Sequence, residues 1–451
     1  MYHHYSYELW RLWLAVISEI FRGQATTIMP AMKVPNFRIF FYGQLISFSG
    51  TWLQGVAETI LSNKLSHGST KWTAVTFSLM YFPTMILATP LSVLIDRFPK
   101  KKVLYWTNTL LLLQAIAVAV LTITKVITMP MMLGLSAFLG IVVAVDAPAR
   151  DAMKTDLVAK EGKAMIGAAN AAYAMMVTLA QILGPFLASL TIPIFSFNND
   201  VMNGLSMTFL LNAASYVAVI VTVFMLKDIK EDISRYPVMK MITGGIKYAY
   251  LNPSIRICMF GIFISSVLSF SWRPMLPNIV NEGILHEGVN GIGILGRGAS
   301  EAVQGWLYAG AGLGAFICAS IISALSHRNV KSKWIVAIGT AIAGTGLMLL
   351  ASAHSILVGL LGTFMIGSGF ALSFVTVRGI VRKTVTPEFR GRISGIDYAS
   401  FFGGIVSGSV VSGCIAEKIG YTTTLSVSGI LLIMIGLWSA VSKNPFHENN
   451  N

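Results

Sequence analysis

Long apolar stretches separated by short polar segments repeat along almost the whole chain. A helix that crosses the hydrocarbon of a bilayer needs about 20 mainly apolar residues, and twelve stretches meet that length. The predicted spans are residues 39–61, 73–95, 103–123, 129–147, 164–192, 206–226, 255–276, 302–325, 334–353, 356–377, 393–419 and 423–441. The pattern predicts an all-α polytopic membrane protein with 12 transmembrane helices.

Composition supports the same class of protein. Hydrophobic residues make up 55% of the 451 residues and charged residues only 12%, whereas a soluble domain carries roughly 25% charged residues. The three cysteines, Cys258, Cys318 and Cys414, lie far apart in apolar runs, so no disulfide framework is expected. These numbers exclude a soluble enzyme and a secreted disulfide scaffold.

The net charge of +14 comes from 33 basic and 19 acidic residues. In a soluble protein such a balance suggests polyanionic partners, but in a membrane protein basic residues collect in cytoplasmic loops. With the N-terminus inside, 27 of the 33 lysines and arginines fall in cytoplasmic segments and 6 on the other side. The charge therefore predicts an orientation with both termini in the cytoplasm, and no nucleic acid as a partner.

The first residues, 1–33, form an extension before the first span. Glu8, Arg11, Glu19 and Arg22 fall within one arc of a helix whose other faces are apolar, which is typical of a helix lying on the membrane surface. The alternative is a poorly ordered leader that precedes a true start at Met29 or Met32.

The longest connection, residues 227–254, divides the chain into two groups of six spans. We expect six-helix bundles at 34–226 and 255–442, a cytoplasmic linker that carries a surface helix, and a tail at 443–451. Shifting the first half by 228 positions places Arg150 on Arg378 and Gly167 on Gly395. Two pseudo-symmetric six-helix halves are a plan used by transporters, with the substrate site at their interface.

Four segments resemble a known family. Residues 92–102, which include Asp96 and Arg97, resemble the signature loop of the major facilitator superfamily, although Ser92 and Pro99 replace its glycines. Residues 36–47, 146–152 and 386–393 resemble the subgroup that contains the enterobactin exporter and related multidrug efflux proteins. The resemblance covers about residues 34–442 and implies the major facilitator fold.

The same resemblance implies a gate on the cytoplasmic side. The matching aspartate of the family meets the start of the eleventh helix, where the helix dipole favours an anion by roughly 0.3–2 kcal/mol. We expect Asp96, Arg97, Asp146 and Arg150 to form a latch that closes when the cavity faces outward. The alternative is that these charges only anchor the topology.

The second half has an equivalent arginine at the end of the tenth span. Arg378 can pair with a carboxylate on the same side of the membrane, and Asp397 and Glu388 are the available partners. We assign Arg378 and Asp397 to the gate. Interaction of the arginines with lipid headgroups is the alternative.

Glu58 is the proton-coupling candidate, because ionisable residues inside spans are costly and commonly functional. It follows Gln54 by four residues and therefore shares its helix face. Burial in apolar surroundings favours a neutral carboxyl group, as proton exchange requires. Since Glu58 lies near a span end, contact with the interface is the alternative.

Gly184 and Pro185 in the fifth span resemble the Gly-Pro element of antiporters in this superfamily, and the proline is expected to kink the helix. A Gly-Pro pair also occurs in kinks without an antiport role. Polar and aromatic residues in the spans are candidates for lining the cavity, and each can equally be a packing residue. The cavity candidates are Gln44, Gln54, Asn170, Tyr173, Gln181, Trp272, Arg273 and Tyr398.

The sequence lacks a phosphate-binding loop for ATP and ligand spacing among its histidines. We therefore predict a secondary transporter and not an enzyme, without cofactors, driven by the proton gradient of a bacterial inner membrane. The predicted activity is export of a small amphipathic molecule, such as a siderophore or drug, by a monomer. Proton-coupled uptake of a nutrient or peptide is the alternative on the same fold, and a non-transporting sensor is another.

Overall fold

The computed structural model describes residues 26–95, 97–227, 238–285, 298–325, 332–386 and 389–442. Almost all of these residues are helical, and no strand occurs among them. Asp96, Glu388 and the predicted surface helix before residue 26 lie outside the described residues.

Twelve long helices and one shorter linker helix account for the described chain. Their order follows the predicted spans closely, and the largest change at a span end is in α4, which continues past residue 147 to Asp156. The helices are α1 Pro35–Leu65, α2 Thr70–Ile95, α3 Lys100–Ile123, α4 Met129–Asp156, α5 Lys163–Phe195, α6 Val201–Met225, α7 Val238–Leu251, α8 Pro253–Ser269, α9 Ala299–Leu325, α10 Ser332–Ala351, α11 Ile356–Thr384, α12 Arg390–Ile419 and α13 Tyr421–Val441.

Nine helices in the described part of the chain, α3 to α6 and α9 to α13, are long and apolar enough to cross a membrane by length and composition. Helices α1 and α2 have similar lengths. Buried polar side chains, among them Gln44, Gln54 and Glu58, lower the hydropathy of α1. The protein is therefore a polytopic helical membrane protein whose first helix contains several buried polar side chains.

The helices pack as two groups of six. In the first half, α1 contacts α5 and α6, α2 contacts α4, and α3 contacts α6. In the second half, α11 packs between α9 and α10, and α13 lies along α10. The halves meet where α2 packs along α12 and α5 packs along α9, so the crevice between them is bounded by these two helix pairs.

The two ends of the bundle can be identified from polar contacts. We call one end the linker face, where Lys101 Nζ donates to the Leu226 carbonyl at 2.7 Å and Asn36 Nδ2 to the Lys227 carbonyl at 2.8 Å. We call the other end the far face. There, Lys125 Nζ lies 2.5 Å from Asp200 Oδ2.

The prediction that residues 255–276 form one continuous helix is wrong. Helix α8 ends at Ser269, residues 270–275 form turns, and Leu276–Asn278 leads into a π-helical segment at Ile279–Ile284. Non-helical backbone at membrane depth is tolerated where it is buried in protein or lines a cavity. The break therefore draws attention to the residues at 270–275.

Candidate functional site

A cavity of about 60 Å³ lies between the two halves. Its volume is sufficient for a few water molecules but is much smaller than the roughly 300–1,000 Å³ of sites that bind drug-sized molecules. The lining residues come from α1, α2, α4, α9 and the break after α8, and they are Thr51, Trp52, Gly55, Val56, Phe77, Met80, Tyr81, Leu139, Val143, Arg273 and Tyr308. Both halves of the molecule therefore contribute side chains to this cavity.

Glu58 lies one helical turn from the cavity-lining Gly55 and is 1% exposed. Its Oε1 accepts a hydrogen bond from Gln54 Nε2 at 2.7 Å. Its Oε2 is buried and has no hydrogen-bond partner among the described residues. Gln54 and Glu58 therefore share one face of α1 and are hydrogen-bonded to each other.

Gln54 connects Glu58 to two further helices. Its Nε2 lies 3.1 Å from Gln114 Oε1 on α3, and its Oε1 accepts from Asn212 Nδ2 on α6 at 2.5 Å. Asn212 also donates to the Tyr216 hydroxyl at 3.2 Å. We call Gln54, Glu58, Gln114 and Asn212 the polar network. Sequence reasoning missed Gln114 and Asn212, although both are amides inside predicted spans.

Arg273 lies in the break after α8 and lines the cavity. The residue is 9% exposed, and its backbone carbonyl accepts a hydrogen bond from the Tyr308 hydroxyl at 3.2 Å. Four aromatic rings surround the guanidinium with 4.8–5.5 Å between its central carbon and each ring centroid, namely those of Trp52, Phe270, Trp272 and Tyr308. The Tyr308 hydroxyl therefore supplies a hydrogen bond to the Arg273 carbonyl at the break, and the Tyr308 ring stabilises the positive charge of the Arg273 guanidinium.

The other cavity candidates lie apart from this cavity. Trp272 is buried at 1% exposure and packs on Tyr308 with 5.2 Å between ring centroids. Gln44 is buried, and both of its amide atoms are without a hydrogen-bond partner among the described residues. Asn170 is exposed and Gln181 is half-buried. Among the eight candidates, Arg273 is the one that lines the cavity directly.

Two gate candidates form a buried ion pair within the first half. Arg150 Nε lies 2.6 Å from Asp146 Oδ2, one helical turn away on α4. Asp146 Oδ1 also accepts from Thr107 Oγ1 at 2.5 Å and Asn108 Nδ2 at 3.0 Å. The Arg150 guanidinium stacks on Phe48, 4.4 Å from the ring centroid. These contacts connect α4 to α3 and α1. The side chain of Arg97, a third gate candidate, is exposed.

The second half contains the equivalent pair between two helices. Arg378 on α11 contacts both carboxylate oxygens of Asp397 on α12, at 3.1 Å from Nε and 2.5 Å from Nη2. The guanidinium also lies 4.1 Å from the Phe374 ring centroid. In both halves, an arginine is therefore held between a carboxylate and a phenylalanine.

Near the linker face, a hydrogen bond between α4 and α12 joins the halves. The Tyr398 hydroxyl donates to Asp151 Oδ2 at 3.0 Å, and Asp151 Oδ1 lies 2.7 Å from Lys154 Nζ. Lys154 also lies 4.4 Å from the Tyr173 ring centroid. The tyrosines chosen as cavity candidates, Tyr173 and Tyr398, are therefore part of an ionic cluster between α4, α5 and α12.

The far face holds more contacts between the halves. Lys64 Nζ lies 3.0 Å from Glu301 Oε1, and Asn63 Nδ2 donates to Asn278 Oδ1 at 2.9 Å. Glu417 accepts hydrogen bonds from the hydroxyls of Ser69 and Thr70, both at 3.0 Å. Sequence reasoning missed this set, because each partner lies in a different half and none stands out alone.

Gly184 and Pro185 lie where three helices cross. A Cβ at Gly184 would stand 2.4 Å from the Ser49 carbonyl oxygen on α1, so only glycine allows this approach. Pro185 cannot donate to the carbonyl of Gln181, and Gly312 of α9 packs closely against that carbonyl. Helix α5 is continuous through Pro185.

The described residues contain no group of three or more histidine, cysteine, aspartate or glutamate side chains that could hold a metal ion. The arrangement that does occur is a small central cavity with a buried carboxylate beside it and polar contacts between the halves near each end. This arrangement fits transport by movement of the two halves.

Comparison with solved structures gives the fold. The nucleoside transporter NupG matches with a TM-score of 0.68 and 13% identity, over 91% of this chain and all of that chain. A POT family transporter, solved in complex with 5-aminolevulinic acid, matches with a TM-score of 0.68 and 15% identity, over 91% of this chain and 96% of the other. The protein therefore has the fold of these transporters.

Comparison with sequences gives the family. An uncharacterized MFS-type transporter of Bacillus subtilis (strain 168), YfiS, is 23% identical over 433 residues, covering 91% of this chain and 95% of its own. The family model described as transmembrane secretion effector matches residues 25–451. The chain therefore belongs to this transmembrane secretion effector family of the major facilitator superfamily, as a multi-pass membrane transporter and not an enzyme.

Proposed function

We propose that the protein exports a small amphipathic molecule from a bacterial cell in exchange for protons. It lies in the inner membrane as a monomer with both termini and the linker face in the cytoplasm, and the proton gradient supplies the energy. The orientation follows from the 27 basic residues assigned to cytoplasmic segments, since cytoplasmic loops of membrane proteins are rich in lysine and arginine. A siderophore or drug-like compound is the substrate class implied by the resemblance to efflux proteins.

The buried carboxylate of Glu58 is the observation that carries this proposal. It lies beside the cavity with Oε2 free of hydrogen bonds among the described residues, so a proton can be added there without breaking an existing bond. Gln54 transmits the change to α3 and α6 through Gln114 and Asn212. Uptake and release of the proton at Glu58 thus alter contacts among three helices of the first half.

Alternating access requires that the contacts at one end break while those at the other hold. On the cytoplasmic side, we assign the gate to the Asp151–Tyr398 hydrogen bond, supported by the Asp146–Arg150 and Arg378–Asp397 pairs. Asp96 and Arg97 remain proposed members of this gate. On the outer side, Lys64 and Glu301 and the contacts of Glu417 close the crevice. The contacts that join the two halves are hydrogen bonds and one partly exposed ion pair among the described residues, each of modest free energy, so the two states can interconvert.

Export is favoured over uptake by two observations. The matching family is described as a secretion effector. The Gly184–Pro185 element, which resembles that of antiporters, lies at the crossing of α5 with α1 and α9, between the halves.

The test uses inverted membrane vesicles, in which export appears as uptake into an acidified lumen. Wild-type protein is expected to accumulate a fluorescent amphiphilic dye when respiration acidifies the lumen, and Glu58→Gln is expected to lose the gradient-driven part. Glu161→Gln, which changes an exposed acid in the loop after α4, is the matched control and should behave as wild type. Full gradient-driven accumulation by the Glu58→Gln protein would contradict the role of Glu58.

Direction is tested in cells. Loss of the gene is expected to raise the intracellular level of the substrate and lower its level in the medium, and cultures with and without iron show whether the substrate is a siderophore. The reverse change would identify an uptake porter.

A further inference from the structure

The break after α8 places a positive charge at the centre of the crevice. We propose that Arg273 binds a negatively charged group of the transported molecule, so that the substrate is an amphipathic anion with a planar, aromatic body. This inference rests on the proposed function, because it takes the cavity as the path of the substrate.

The first argument is the lack of a protein anion for this charge. A guanidinium stays protonated in proteins, and a buried ion is stable only when another group compensates its charge. Among the described residues, no carboxylate lies within 4.0 Å of Arg273, whereas Arg150 and Arg378 each have an aspartate within 2.6 Å. Arg273 Nε is also buried without a hydrogen-bond partner in this part of the chain.

The second argument is the nature of the groups that do surround it. Four aromatic rings stabilise the charge through their faces, which explains how the folded protein tolerates it. Ring faces do not replace the oxygen acceptors that the planar N–H donors prefer. A substrate with a carboxylate or a similar group would supply such acceptors in a two-point contact.

The third argument is the position of the side chain. An arginine that anchors a helix at the membrane interface extends toward water and headgroups. Arg273 is instead 9% exposed and lines the cavity together with Trp52, Tyr81 and Tyr308. Aromatic rings on several sides of one guanidinium favour a flat apolar body next to the anionic group.

Binding of a matched pair of compounds to the purified full-length protein tests the inference. The probes are 1-naphthoate and its neutral counterpart 1-naphthamide, followed by isothermal titration calorimetry in detergent. Wild-type protein is expected to bind the naphthoate at least tenfold more tightly than the amide. Arg273→Gln is expected to remove this preference, and Arg273→Lys to retain part of it.

The control is Arg256→Gln, which removes an exposed arginine near the other end of α8 and should keep the full preference for the anion. Unchanged binding of the amide by Arg273→Gln shows that this variant is folded. Equal binding of both compounds by wild type, absence of saturable binding, or a preference that survives Arg273→Gln would overturn the inference. Because no proton gradient is present, the result is independent of the role of Glu58, and a failure of proton coupling leaves it intact.

Discussion

Gln54 is the side chain on which the hydrogen bonding inside the first half depends. It donates to Glu58 and Gln114 and accepts from Asn212, and all four residues are buried. A buried polar group left without a partner costs about 1–3 kcal/mol. The amide therefore has a structural role in addition to its place beside the proposed proton site.

Replacement of Gln54 by leucine is expected to destabilise the protein by about 3 kcal/mol or more, because at least two of its partners lose a hydrogen bond in a buried setting. Denaturant unfolding of the purified protein in detergent measures the change.

Gln304→Leu is the matched control. Gln304 is equally buried, but its Oε1 has no hydrogen-bond partner among the described residues. Its replacement should therefore leave the free energy of unfolding nearly unchanged. Equal losses in the two variants would show that the polar network contributes nothing specific.

Helix α5 offers two glycines with opposite surroundings. A Cβ at Gly184 would meet α1 at 2.4 Å, whereas nothing lies within 4 Å of a Cβ at Gly167. Gly184→Ala is expected to lower stability by about 1–3 kcal/mol through overpacking. Gly167→Ala should raise it by roughly 0.5–1 kcal/mol, because alanine is the better helix former. Thermal unfolding of both variants checks the signs.

The start of α6 is held by Asp200, whose side chain accepts from the Met202 backbone N–H at 3.0 Å. Lys125 donates to the same carboxylate and holds the pKa of Asp200 below its ordinary value. A carboxyl group whose pKa is lower in the folded state adds stability at neutral pH, and this stability is lost as pH falls below the ordinary value of about 3.9.

Asp200→Ala is expected to cost about 1 kcal/mol through loss of the helix cap, and Asp200→Asn less, since asparagine also caps. The difference between wild type and Asp200→Asn should shrink as pH falls below about 4, because the unfolded wild-type chain then binds a proton at this carboxyl group, whereas the folded carboxylate is protonated only at still lower pH. Unfolding midpoints measured from pH 7 to pH 3 test this. A difference that grows on acidification would contradict the assignment.

The two halves are held together near both ends in this conformation, by Asp151 and Tyr398 at one and by Glu301 and Glu417 among others at the far face. These contacts form two sets, one near each end of the crevice. Opening to either side then requires loss of one set.

Glu417→Gln is expected to favour opening at the far face, because a neutral amide holds the Ser69 and Thr70 hydroxyls less strongly than a carboxylate. Electron spin resonance distances between labels at Lys71 and Lys418, both exposed, should shift toward longer values.

Glu161→Gln is the control for this measurement, since Glu161 is an exposed acid in the loop after α4, away from the contacts between the halves at the far face. It should leave the distance distribution unchanged. The same widening in both variants would mean that the contacts across the crevice do not set the conformation.

The helices were predictable because hydropathy reports directly on burial in lipid, and the family match confirms the recognition of a major facilitator transporter. The break after Ser269 was not predicted, although Arg273 and Pro274 lie inside the predicted span and a proline is a local signal for a helix break. The Tyr308 hydroxyl, which stabilises the turn through the Arg273 carbonyl, lies 35 residues further along the chain than Arg273.

The candidate site could be predicted only in part. Gln54 and Glu58 were found because they lie four residues apart on one helix. Asn212 is 158 residues from Gln54, and no local pattern joins them. Tyr173 and Tyr398 were recognised as polar aromatics inside spans, but their depth along the helices, which places them with Lys154 and Asp151, depends on packing between the halves.

The unpaired charge of Arg273 has an electrical consequence. An anion carried outward moves down the potential of a cell that is negative inside, and each elementary charge gains about 2.3 kcal/mol per 100 mV. That gain corresponds to a roughly fiftyfold concentration ratio, before any contribution from the pH difference. A transporter that carries an anion bound at Arg273 would therefore be driven by the membrane voltage as well as by the pH difference. Each transport cycle would move charge across the membrane, which can be measured as an electric current.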